Sequence, residues 1–150
     1  MSSDTPEVLF VCTHNAGRSV AARLLLDHYA QGRVVVRSAG SDPGSELNSS
    51  VVAVLNERGL DSTKEFPKPL TDDMARTADV VVTMGCGDSC PFYPGKCYLD
   101  WELPDPAGLA IDDVRPIVNE IDRRVRALLA DLVGTPSEQR RGDRSRRGFM

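Results

Sequence analysis

The stretch Val8-Leu9-Phe10-Val11-Cys12-Thr13-His14-Asn15-Ala16-Gly17-Arg18-Ser19 decides the reading of this chain. Its first half is a continuous apolar run, the pattern of a strand buried on both faces. Residues 19–30 follow as a helix, with Val20, Leu24, Leu25 and Tyr29 on one face and Gly32 as its stop. The five residues between Cys12 and Arg18 form a short strand-to-helix loop. Such a loop turns its backbone N–H groups inward, and the helix it feeds adds a positive dipole end. The same field favours thiolate over thiol at Cys12. Arg18 brings a planar fork suited to two oxygens of a tetrahedral anion. Asn15 tolerates the left-handed backbone that such a loop needs, and Gly17 relieves crowding. Thr13, His14, Asn15, Ala16, Gly17, Arg18 and Ser19 are therefore the candidate oxyanion-binding residues, with Cys12 as nucleophile at the floor.

The rest of the chain alternates strands with helical patterns. Strands are expected at 7–12, 33–37, 79–84 and, more weakly, 96–100. A second helix is expected at 48–58, with Val51, Val52 and Leu55 inward and Gly59 as its stop. A short helix at 72–77 has Thr71 as its N-cap. The last helix is the clearest: Val114, Ile117, Val118, Ile121, Val125, Leu128, Leu129 and Leu132 recur at helical spacing. Asp112 and Asp113 favour its start, Pro116 is placed in its first turn, and Gly134 and Pro136 end it. This alternation implies a single α/β domain with a four-stranded parallel sheet and helices on both faces, in flavodoxin-like order. Ligands of such sheets bind beyond the carboxyl ends of the strands, where Cys12 falls.

The chain has 150 residues, enough for one domain with a real core. Residues 1–133 are expected to form it. Residues 134–150 hold five arginines against Glu138 and Asp143, a net +3, which leaves −7 of the total −4 on the body. That tail lacks periodicity and aromatics apart from Phe149, so it reads as a disordered end and not as a nucleic-acid arm. No run approaches membrane-spanning length, and residues 1–7 lack the basic and apolar regions of a signal peptide. A cytoplasmic monomer with reduced thiols is the expectation.

The Cys12 loop resembles that of the low-molecular-weight protein tyrosine phosphatases and of the arsenate reductases that share their fold. The resemblance runs from about Glu7 to Val133. It includes Ser38-Ala39-Gly40, the strand Val80-Val81-Val82-Thr83-Met84 and Asp105-Pro106. It implies that Cys12 is the nucleophile and Asp105 the general acid, that Ser19 donates a hydroxyl to the Cys12 sulfur, and that Ser38 braces the loop. The chain departs from the pattern in three places. Gly17 stands where a second cysteine is common, His14 where glycine is frequent, and Arg23 where some reductases carry a glutamate that helps bind potassium.

Two features separate the branches. Cys86-Gly87-Asp88-Ser89-Cys90 places two cysteines in a glycine-containing loop after the third strand. A redox pair that relays with Cys12 is the leading reading; half of a zinc site and inert loop thiols are the others. No bound metal or cofactor is expected. Asp105-Pro106 is followed by Ala107-Gly108-Leu109, without the aromatics that stack on a phosphotyrosine ring in the phosphatases. Trp101 is expected to pack at the base of this loop. Cys12, Arg18, Asp105, Cys86 and Cys90 are therefore expected to reduce arsenate, with thioredoxin as the external reductant. The alternatives are a mycothiol-dependent transferase that uses Cys12 alone with a glutaredoxin-like partner, and a tyrosine phosphatase.

Overall fold

The computed structural model describes residues 5–85 and 96–133. The elements in chain order are β1 (Glu7–Cys12), α1 (Arg18–Ala30), β2 (Val35–Gly40), α2 (Ser49–Glu57), α3 (Asp72–Thr77), β3 (Val80–Thr83), β4 (Cys97–Asp100) and α4 (Ile111–Val133). The strands form one parallel sheet in the order β2-β1-β3-β4. The chain leaves β1 toward β2 on one side and returns to β3 on the other. The switch point therefore lies at the carboxyl end of β1, which is Cys12.

Strand residues alternate between two buried layers. Val8, Phe10, Cys12, Val80 and Val82 face the larger layer, under α1, α2 and α4. Leu9, Val11, Ala39 and Val81 face the smaller one, under Ala75 of α3, Ala78 and Leu70. Burial of both faces explains why β1 and β3 read as unbroken apolar runs. Among the described residues, no helix is long and apolar enough to cross a membrane.

Four expectations are corrected. β2 begins at Val35 because Arg33 still serves the end of α1: its N–H and its Nε both bond the Ala30 carbonyl. It then runs on through Ser38-Ala39-Gly40, which pair with Phe10, Val11 and Cys12. In α2 the inward residues are Val51, Val54 and Leu55, while Val52 is half-buried. α4 starts at Ile111, with Val114 N–H on the Ala110 carbonyl, so Pro116 lies beyond the first turn. Among the described residues the helix caps act as read. Thr71 accepts from Met74 N–H and Asn48 from Val51 N–H, each capping its helix. Gln31 takes a left-handed conformation at the end of α1, just before Gly32.

Candidate active site

Cys12 is buried at the end of β1, and the loop after it curls over its sulfur. The 41–48 segment holds that loop from outside. The N–H groups of Ser41, Asp42, Gly44 and Asn48 donate to the carbonyls of Cys12, Thr13, His14 and Ala16 at 2.7–3.2 Å. A peptide plane carries its N–H opposite its carbonyl. The outward carbonyls therefore turn the N–H groups of Thr13, His14, Asn15 and Gly17 the other way, toward the position above the sulfur. Anion cradles are made in this way. α1 begins at Arg18 and adds its dipole.

A buried polar triad surrounds the Cys12 sulfur. Ser19 Oγ lies 2.9 Å from Cys12 Sγ. Asn15 Nδ2 donates to the same Ser19 Oγ at 2.7 Å, which leaves the serine proton for the sulfur. Asn15 Oδ1 in turn accepts from Lys68 N–H at 2.9 Å, and this fixes which way its amide faces. Asn15 has φ 50° and is fully buried, the strained conformation expected of it. The Ser19 hydroxyl is engaged by Cys12 and Asn15.

Arg18 is 9% exposed and lies against backbone. Its Nη1 donates to the Leu103 carbonyl at 3.4 Å, and its Nη2 stands 3.9 Å from Asp105 Oδ1. Asp105 is open to solvent at 58% and accepts from Ala107 N–H at 3.0 Å. The β4–α4 connection thus carries Asp105 to the mouth of the cradle. Pro106 locks it there: a Cβ on Gly17 would meet Pro106 Cγ at 2.9 Å. A cysteine at this position would require Pro106 to shift. Asn48 Nδ2 also donates to the Pro106 carbonyl at 3.3 Å.

Three glycines and one asparagine matter here for reasons that spacing alone does not reveal. Gly85 has φ +105°, and a Cβ there would lie 2.6 Å from Arg18 Nη1. Its carbonyl accepts from Thr13 Oγ1 at 3.1 Å. Gly40 lets β2 pass under the loop, since a Cβ would sit 2.7 Å from the Thr13 carbonyl oxygen. Gly17 and Asn48 join the cradle to the Asp105 turn. A sequence signal existed for Gly40 and Gly85, which adjoin motifs already quoted.

The remaining expected residues fall as follows. His14 is exposed, and its Nδ1 lies 2.9 Å from the Asp42 carbonyl. Ser38 does not brace the loop: its Oγ is buried without a hydrogen-bond partner among the described residues. Trp101 packs inward on Phe10 with ring centroids 5.7 Å apart. Cys97 packs against the larger core layer, and burial pushes its thiol above the usual range. Arg23 is paired with Glu65. No group of three or more potential metal ligands occurs among the described residues. Cys86, Cys90 and the 134–150 tail lie outside the described residues.

Comparison with known proteins places this geometry. The thioredoxin-dependent arsenate reductase of Corynebacterium glutamicum is 53% identical, with a TM-score of 0.75, over 85% of this chain and 61% of that one. The chain thus spans about three-fifths of that protein's length. A putative arsenate reductase of Halobacterium salinarum is 32% identical over 83% of this chain and 92% of its own length. An arsenate reductase solved in a phosphate-binding state is 27% identical, with a TM-score of 0.76, over 85% of this chain and 98% of that one. The model of the low molecular weight phosphotyrosine protein phosphatases matches residues 7–137. With the Cys12 cradle at the switch point of a β2-β1-β3-β4 parallel sheet, this chain belongs to the low molecular weight phosphotyrosine protein phosphatase family.

Proposed function

We propose that this protein is an arsenate reductase that uses Cys12, Cys86 and Cys90 in sequence and is recycled by thioredoxin. One observation carries the choice of substrate: among the described residues, the mouth of the cradle offers charge without a ring. Arg18 and Asp105 stand 3.9 Å apart at its rim, Trp101 is turned into the core, and residues 107–110 hold no aromatic. A small tetrahedral oxyanion fits such a site better than an aryl phosphate. The arsenate reductases of similar sequence support the same reading.

Arsenate is held by the loop N–H groups and Arg18. The Cys12 thiolate attacks arsenic, and an oxygen leaves as water with the proton of Asp105. The Cys86 thiolate then attacks Cys12 Sγ. The sulfur–arsenic bond breaks with its electron pair on arsenic, which leaves as arsenite, and a Cys12–Cys86 disulfide remains. Cys90 attacks Cys86, moves the disulfide outward and frees Cys12. Thioredoxin reduces the Cys86–Cys90 bond. No metal or bound cofactor takes part. The protein works as a cytoplasmic monomer, where thiols are kept reduced.

Arsenate-dependent NADPH consumption with thioredoxin and thioredoxin reductase tests this. Wild type is expected to turn over, and Cys12→Ser, Cys86→Ser and Cys90→Ser are each expected to stop. Turnover that survives loss of Cys86 and Cys90 and needs mycothiol with a glutaredoxin-like protein would make the enzyme a transferase. Hydrolysis of aryl phosphates with no arsenate turnover in either system would make it a phosphatase.

A further inference from the structure

We infer that the Arg23–Glu65 ion pair is a positioning device for the Cys12 nucleophile, acting through Lys68, Asn15 and Ser19. The inference rests on the reading of Cys12 as the nucleophile, and is independent of which oxyanion it attacks.

The pair is bidentate. Arg23 Nε and Nη2 donate to Glu65 Oε1 and Oε2 at 3.0 and 2.8 Å. The Glu65 side chain is 7% exposed and that of Arg23 22%. A carboxylate this deep requires its partner, so the two move as one unit. The bond to Glu65 holds the Arg23 guanidinium above its usual pKa against the opposing effect of burial. Arg23 Nη1 also reaches the Val36 carbonyl in β2 at 3.4 Å. The pair therefore fastens the irregular segment that begins at Glu65 to both α1 and β2.

Three residues further on, that segment does its work. Lys68 N–H donates to Asn15 Oδ1, and the Lys68 carbonyl accepts from Gly40 N–H at 2.8 Å. Asn15 then donates to Ser19, which meets Cys12 Sγ. Ser19 and Arg23 are four residues apart, on one side of α1. The helix thus supplies both ends of a closed circuit: Arg23 holds the segment whose backbone aims Asn15, and Asn15 aims Ser19. A surface ion pair would end at solvent. This one ends at the sulfur.

Other charges surround the circuit. Lys68 is half-buried and its ammonium is pushed below the usual range, first by burial, with Arg23 adding to the effect and Glu65 opposing it. Asp27 faces Arg23 from the next turn of α1. Arg18 and Asp105 stand at the cradle, and His14 is turned to the Asp42 carbonyl.

The test is peptide-resolved alkylation of Cys12 by iodoacetamide in the full-length reduced protein, from pH 4 to pH 9. It needs no substrate, so failure of the arsenate assay leaves it readable. Arg23→Gln and Glu65→Gln remove opposite charges. Positioning predicts that both move the half-maximal pH upward, by about three- to tenfold in proton concentration, the size of one lost hydrogen bond. Arg23→Lys keeps the charge but loses the fork, and is expected to shift it the same way by less. In a Ser19→Ala background neither substitution should shift it further. Opposite shifts for the two neutral variants would assign the effect to bare charge and overturn the inference. No shift, or equal shifts with and without Ser19, would overturn it as well. Urea midpoints identify any variant that fails to fold, and Arg23→Lys then carries the comparison with Ser19→Ala.

Discussion

The two walls of the site are built to opposite standards. The Cys12–Ser19 wall is buried apart from Thr13, His14 and Ala16, and it is held from behind: Asn15 is fully buried, Arg18 is 9% exposed, and four carbonyls are taken from outside. On the Asp105 wall the acid itself is 58% exposed and meets one N–H and one long ion pair, while its neighbour Pro106 is held by Gly17 and Asn48. The difference fits the roles proposed for each. A cradle for a charged anion works by dipoles fixed in advance, which requires burial and full hydrogen bonding. A group that gives up a proton in each turnover must regain one, and contact with water supplies it.

Substitutions on the two walls should therefore differ in kind. The largest effect is expected from Cys12→Ser, which should lower turnover by about 10⁴-fold or more while leaving the circular dichroism spectrum unchanged. Asp105→Asn is next: kcat should fall about 10²- to 10³-fold, with competitive inhibition by phosphate unaltered. Weaker phosphate binding in that variant would break the comparison, because Asp105 would then belong to the cradle. Arg18→Lys should do the opposite and lose about 10²-fold in kcat/KM, together with phosphate affinity, since an ammonium cannot replace the fork. Gly85→Ala sharpens the point without replacing a charged residue. It should displace the Arg18 guanidinium and cost about tenfold in kcat/KM. The smallest effect is expected far from both walls. Tyr29 donates to Asp122 Oδ1 at 2.6 Å, a bond that raises the tyrosine pKa. Tyr29→Phe should lower stability to urea by about 1 kcal/mol and leave kcat unchanged.

Residues whose roles are local were legible. The apolar runs of β1 and β3, the helical spacing in α4, the caps at Asn48 and Thr71 and the left-handed Asn15 all follow from neighbouring side chains and backbone sterics. Two residues depart from their local signals. Arg33, followed by valines, reads as strand, yet its hydrogen bonds go back three and four residues to the end of α1. Ser38 is expected from the resemblance to brace the loop, yet its Oγ has no hydrogen-bond partner among the described residues.

The sequence by itself determined the order of strands and helices, the position of Cys12 at a strand end and the candidate pairing of Cys12 with Arg18 and Asp105. The first two depend on periodicity and turn residues and Arg18 on a motif whose members lie close together, whereas Asp105, 93 positions from Cys12, is implied only by the family resemblance. Only the tertiary structure decided how the cradle is held. Lys68 reaches Asn15 across 53 positions, Gly85 is 72 positions from Thr13, and Glu65 is 42 positions from Arg23. Contacts of that span leave no periodic trace: the first two end on backbone groups that any residue type offers, and the third joins side chains far apart in the chain.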